Sequence, residues 1–149
     1  MIKIILSIFF FLFTIKGFSQ TLTKDTVIND PPIGCVDNDT SRVFTKLEIE
    51  PEFPGGEEAW IAYIKTNQHK DLAALNGAPE GDYTVMLIFI VSIHGVVENV
   101  RAETHNGFGM EEEAIRLLQS GPFWKPGRQN GCIVTAYKRI PVKFVVRQQ

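Results

Sequence analysis

The run "DYTVMLIFIVSIHGVVENVRAET", from Asp82 to Thr104, constrains this chain more than any other stretch. Its first half is apolar at both parities, Tyr83, Val85, Leu87, Phe89 and Val91 against Met86, Ile88 and Ile90. Such a strand belongs in the middle of a sheet, covered on both faces. The second half alternates Val96, Glu98, Val100 and Ala102 with Val97, Asn99, Arg101 and Glu103, the pattern of a half-exposed strand. His94-Gly95 between them signals a short hairpin turn, because Gly95 accepts positive φ without steric cost. The two halves are therefore expected to pair antiparallel.

Two helical patterns flank this hairpin. In "PGGEEAWIAYIKTNQ", Glu57 and Glu58 place negative charge at the positive end of a helix dipole, and Trp60, Tyr63, Ile64 and Asn67 share one face. In "MEEEAIRLLQSG", Met110, Ala114, Leu117 and Leu118 line one face, three glutamates crowd the first turn, and Gly121 provides a stop. Between the first helix and the hairpin, "HKDLAALNGAPEG" reads as a turn-rich connection with a short helical piece at Leu72 to Leu75. "RVFTKLEIEPEF", before the first helix, reads as a short strand or extended segment ending at Pro51.

The last element is "WKPGRQNGCIVTAYKRIPVKFVV", Trp124 to Val146. It turns at Pro126-Gly127 and Asn130-Gly131 and then alternates to the end. Cys132, Val134, Ala136, Lys138, Ile140, Val142, Phe144 and Val146 form an apolar face interrupted once, and Ile133, Thr135, Tyr137, Arg139, Pro141, Lys143, Val145 and Arg147 form a wet one. Pro141 cannot donate to a ladder, so in a sheet it belongs at an edge, at a bulge, or where the partner strand has already ended. The order is extended segment, helix, strand, hairpin, strand, helix, strand. That is an α+β domain.

At 149 residues, with 44% apolar and 21% charged residues, one globular domain is expected. The first residues, "MIKIILSIFFFLFTIKGFSQ", combine Lys3, an uncharged apolar run and the small pair Gly17 and Ser19, the form of a secretory signal cleaved before Gln20. The run from Ile4 to Ile15 falls short of the roughly 20 residues that span a bilayer. The organisation expected is a signal over 1–19, a flexible leader over 20–41 and a domain over 42–149. Without Lys3 and Lys16, the 15 basic residues become 13 against 17 acids, a net charge of -4 that gives no reason to expect nucleic acid as a partner. Every acid lies at or before Glu113, so the last quarter is basic and acid-free.

Export leaves Cys35 and Cys132 where thiols tend to be oxidised. One intramolecular disulfide, two independent thiols and an intermolecular pair all fit two cysteines. A bond between them would close a loop worth about 4 kcal/mol in the chain-entropy picture.

No catalytic constellation stands out. His69, His94 and His105 lack metal-ligand spacing, no nucleophile elbow, zinc motif or phosphate loop occurs, and neither cysteine has a C-x-x-C partner. The glutamates at Glu111 to Glu113 read as a solvated helix start. No enzyme activity, cofactor or metal is expected.

"PEFPGGEEAWIAYI", "VMLIFIVSIHGVVENVRAET", "EEEAIRLLQSGPFWKPGRQNG" and "YKRIPVKFVV" together resemble the C-terminal domain of TonB-type energy transducers, in their short Bacteroidetes-like form, over about Phe44 to Val146. The resemblance implies two helices packed on a small antiparallel sheet, in the periplasm. It also implies a non-catalytic function linked to TonB-dependent transport: binding an extended segment of an outer-membrane receptor, the Ton box, by strand addition. The matching positions for that partner are Trp124, Lys125, Pro126, Gly127, Gln129, Asn130 and Gly131 in the turn, and Tyr137, Lys138, Arg139, Pro141 and Lys143 in the strand. A stand-alone envelope adaptor, and a module that forms a homodimer through its final strand, would use the same edge.

Overall fold

The computed structural model describes residues 35–39 and 41–147. The expected signal, and most of the expected leader, lie outside them. The elements run α1 (Gly56–Asn67), α2 (Leu72–Leu75), β1 (Gly81–Val91), β2 (Val97–Ala102), α3 (Met110–Gln119), β3 (Gly127–Gln129), β4 (Cys132–Val134) and β5 (Ala136–Val146). They form a small α+β domain, with helices packed against antiparallel sheets that do not close into a barrel. One sheet has the order β2-β1-β5 and the other pairs β3 with β4.

The apolar run is the central strand. β1 pairs with β5 from Gly81↔Val146 to Val91↔Ala136 without a break, and with β2 on its other side. Between Ile88↔Arg101 and Ile90↔Glu98 the register shifts, so Asn99 and Val100 oppose Phe89 alone. Asn99 takes φ 51 at this bulge, a conformation asparagine tolerates better than most residues. The connection is longer than the two-residue turn expected: it runs from Ser92 to Val96, closed by the Ser92 amide donating to the Val96 carbonyl.

Val85, Leu87, Phe89 and Val91 of β1 form the core with Trp60 and Ile64 of α1, Met110, Ala114, Leu117 and Leu118 of α3, and Val142, Phe144 and Val146 of β5. The opposite parity of β1 is covered differently from the expectation of a second packed face. Ile88 and Ile90 are buried but lie outside that core cluster, and their registered neighbours are Arg101 and Arg139, and Glu98 and Tyr137. These neighbours are long side chains, of the kind whose stems cover apolar surface while their polar ends stay in water.

The final alternating run is two strands. Asn130 (φ 52) and Gly131 (φ 76) form the tight turn of the β3–β4 hairpin, both with the positive φ that a type I′ turn needs. The ladder then breaks at Thr135, and β5 continues in the other sheet. The expected alternation holds within β5: Val142, Phe144 and Val146 are buried, whereas Arg139, Pro141, Lys143 and Val145 are exposed.

The cysteines are bonded to each other, Cys35 to Cys132. The bond fixes the last part of the expected leader against β4, where the Ile133 amide donates to the Cys35 carbonyl and the Asp37 amide to the Ile133 carbonyl, each across 2.9 Å. Residues 44–52 follow as an extended segment held by isolated bridges, Phe44↔Ala136, Ile49↔Arg128 and Glu52↔Lys125.

Candidate functional site

In an antiparallel ladder, alternate residues turn their backbone groups toward one neighbour and then the other. Even-numbered residues of β5 face β1. The odd-numbered ones face outward, as the Tyr137 amide donating to the Phe44 carbonyl (2.8 Å) and the side-chain bonds to the Pro141 and Lys143 carbonyls demonstrate. Phe44 covers only the start of this edge. Beyond it, the N–H and C=O of Arg139, the N–H of Lys143, and the N–H and C=O of Val145 have no hydrogen-bond partner among the described residues. Pro141 supplies no N–H at all, so its place at an edge leaves no donor stranded.

Helix α1 runs beside this edge. Trp60 Nε1 reaches the Pro141 carbonyl at 3.5 Å and the Gln68 side-chain amide donates to the Lys143 carbonyl at 3.0 Å. Between helix and strand lies an open groove of about 1260 Å³. Its floor includes Trp60, Ile64 and Val142, and three of the exposed large apolar residues, Ile49, Ile61 and Val145, border it. An edge strand with exposed apolar surface at its side is what an extended peptide pairs with. From Arg139 to Val145 the edge is about 20 Å long at roughly 3.3 Å per residue, the length of an ordinary strand. The opposite edge, β2, has six residues and carries the Asn99 bulge, which interrupts pairing.

The positions singled out in the sequence fall into two groups. Tyr137, Lys138, Arg139, Pro141 and Lys143 all lie on β5, and the last four line the groove. The turn residues are engaged by the chain itself. Trp124 is 3% exposed and packs edge-on against Phe53 and Phe89, with ring centroids 5.8 and 5.0 Å away. Lys125 exchanges backbone hydrogen bonds with Glu52 and pairs with its carboxylate at 2.8 Å. Pro126 borders the groove, and Gly127 packs so closely on Leu47 and Ile49 that a side chain there would collide with them. Gln129 accepts a hydrogen bond from the Glu48 amide, and the Asn130 amide donates to the Glu48 carboxylate, beside Gly131 in the turn. Trp60, Ile61 and Ile64 of α1 and Gln68 just after it were not among the expected contacts. Ile61 carried a signal, an isoleucine off the apolar face of its helix.

One glutamate of the α3 start is not solvated. Glu113 is 4% exposed and accepts from Arg116 Nε (2.7 Å), Arg116 Nη2 (2.8 Å) and the His69 amide (2.8 Å), with His69 Nδ1 at 3.1 Å. Burial pushes its carboxyl up, but these hydrogen bonds and the Arg116 charge outweigh burial and hold it down at about 2. Arg116 also donates to the Asn67 carbonyl at 2.8 Å, so the cluster fastens α3 to the end of α1. Every partner is satisfied within the fold, and the role is structural. His94 and His105 are exposed, and no group of His, Cys, Asp or Glu among the described residues is arranged to hold a metal. Among the same residues no helix is long and apolar enough to cross a membrane.

No known family model, curated protein or solved structure matches this chain. The functional reading therefore rests on the geometry and on the resemblance of the motifs.

Proposed function

We propose that this chain is a non-enzymatic binding module of the bacterial envelope that accepts an extended protein segment as an added strand on β5. The observation that carries the reading is the outward row of backbone N–H groups of Arg139, Lys143 and Val145, without partners among the described residues and bordered by the apolar side chains of α1. Backbone pairing supplies the affinity, and the groove between α1 and β5 receives every second side chain of the guest. The motif resemblance to TonB-type C-terminal domains supports an outer-membrane receptor segment as that guest, and a link to TonB-dependent transport. The signal-like first residues and the Cys35–Cys132 bond support an oxidising, periplasmic setting.

Titrating synthetic N-terminal segments of such receptors into isotope-labelled protein tests the reading. The amides of Arg139, Lys143 and Val145 are expected to shift, with protection from exchange. Shifts confined to other regions, or no shifts at all, would rule strand addition on β5 out. The same edge is open to a second copy of the chain. A self-pairing module requires concentration-dependent sedimentation in the absence of any peptide.

A further inference from the structure

The geometry points to an acidic guest: the β5 groove selects an extended segment carrying Asp or Glu, an inference that rests on the strand-addition reading above. The whole chain has a net charge of -2. Seven groove-lining residues are Lys or Arg and only three are Glu, so the groove runs against the sign of the protein, with a local balance of +4. Three of these cations are already neutralised: Lys138 by Glu50 at 3.6 Å, Lys125 by Glu52 at 2.8 Å, and Arg139 by Glu103 at 2.9 Å. Lys65, Lys70, Arg128 and Lys143 have no ion-pair partner among the described residues.

The unpaired charge is concentrated at one end. Lys65 lies in the last turn of α1, one turn from Gln68, whose side chain touches the Lys143 backbone, and Lys70 follows. The carbonyl end of α1 points the same way, but its dipole amounts to about half a negative charge against three full positive ones. Of the acids that line the groove, the unpaired one, Glu57, sits in the first turn, about 12 Å up the helix at 1.5 Å per residue, beyond the Debye length of about 10 Å at 0.1 M salt, and Asp71, next to Lys70 in the chain, is outside the lining. A guest carboxylate on the helix side of the added strand therefore belongs beside Lys65 and Lys70, and one on the opposite side beside Lys143.

The same charges disfavour a second copy as guest. Of the exposed cations on the parity of β5 that points away from the helical core, Arg139 is paired with Glu103 and Arg147 with Asp82, which leaves Lys143 unpaired. Pairing two β5 edges would bring the unpaired lysines of both copies, Lys143 and the Lys65 and Lys70 beside it, to one seam, and like charges there repel. An acidic segment turns the repulsion into attraction.

Three blocked peptides of one length test this, alternating valine with glutamate, with glutamine and with lysine. The glutamate peptide is expected to bind about five- to tenfold tighter than the glutamine peptide at low salt, from a few exposed pairs each worth a fraction of a kcal/mol, and the lysine peptide more weakly than either. Raising the salt should shrink the difference. The combined variant Lys65→Glu, Lys70→Glu, Lys143→Glu, changed only at exposed positions, should reverse the order of preference. Equal binding of the three peptides at the β5 amides would overturn charge selection while leaving strand addition intact. Failure of the glutamate peptide alone, where receptor segments still shift those amides, would likewise sink only the charge inference. Failure of both kinds of probe would sink both readings.

Discussion

The Gln68 side-chain amide donates to the Lys143 carbonyl across 3.0 Å, so the end of α1 is hydrogen-bonded to the strand edge that a guest would use. An added strand must offer its own N–H to that carbonyl, and Gln68 competes with it. Gln68→Ala is expected to cost about 1 kcal/mol or less in stability, the net worth of one ordinary hydrogen bond, and to tighten peptide binding severalfold. Calorimetric titration of wild type and variant with the same peptide decides the matter. Weaker binding in the variant would show that Gln68 holds the guest instead of excluding it.

Gly95 and Trp124 are also joined, through the Trp124 amide donating to the Gly95 carbonyl at 2.8 Å. Gly95 has φ 77, and a methyl group added there would run into the Trp124 backbone. Gly95→Ala therefore combines backbone strain with a steric conflict and should cost about 3 kcal/mol. Gly131→Ala shares the positive φ (76) but meets open space, so the strain alone, about 1 kcal/mol, remains. Urea denaturation of the two variants should separate them clearly.

Glu113 gives the domain an acid-sensitive joint. Its carboxyl titrates at about 2 in the fold, down from an ordinary 4.5, so over that interval the unfolded chain binds more protons than the folded one. Stability is fully present above about 4.5 and is lost as pH falls toward 2, by an amount on the order of 3 kcal/mol. Glu113→Gln should lose most of this at neutral pH and flatten the acid limb of the stability curve. An unchanged acid limb in the variant would move the acid sensitivity to other carboxylates.

Replacing Cys35 and Cys132 together by serine removes a link that closes a separation of 97 residues. The expected loss is about 4 kcal/mol, with faster amide exchange at Ile133, whose N–H donates to the Cys35 carbonyl. Thermal unfolding under oxidising conditions, compared with the same protein in a reducing buffer, checks the value.

Local patterning carried the elements whose partners are near in sequence. The β1–β2 hairpin, α1 and α3 were legible because apolar periodicity reports directly on the face that packs, and Pro141 correctly marked an edge. Four features were not. Alternation continues smoothly through Thr135, so nothing local marks the point where the chain leaves one sheet for the other. Glu113 reads as one of three equivalent glutamates until Arg116 and the distant His69 are brought around it. The turn from Trp124 to Gly131 was expected to contact a partner, whereas residues 48–52 of the same chain bond to it. The groove itself needs α1 and β5 side by side, elements separated by more than half the domain.

The disulfide has a mechanical meaning as well. A pull exerted through the residues before Cys35, against a partner held on β5, would travel across the sulfur bridge into β4 and directly on to Arg139 and Val145. The helices, the β1–β2 hairpin and the core between Cys35 and Cys132 hang beside that path as a closed covalent ring, so such a tension would reach β5 without being strung through the rest of the fold.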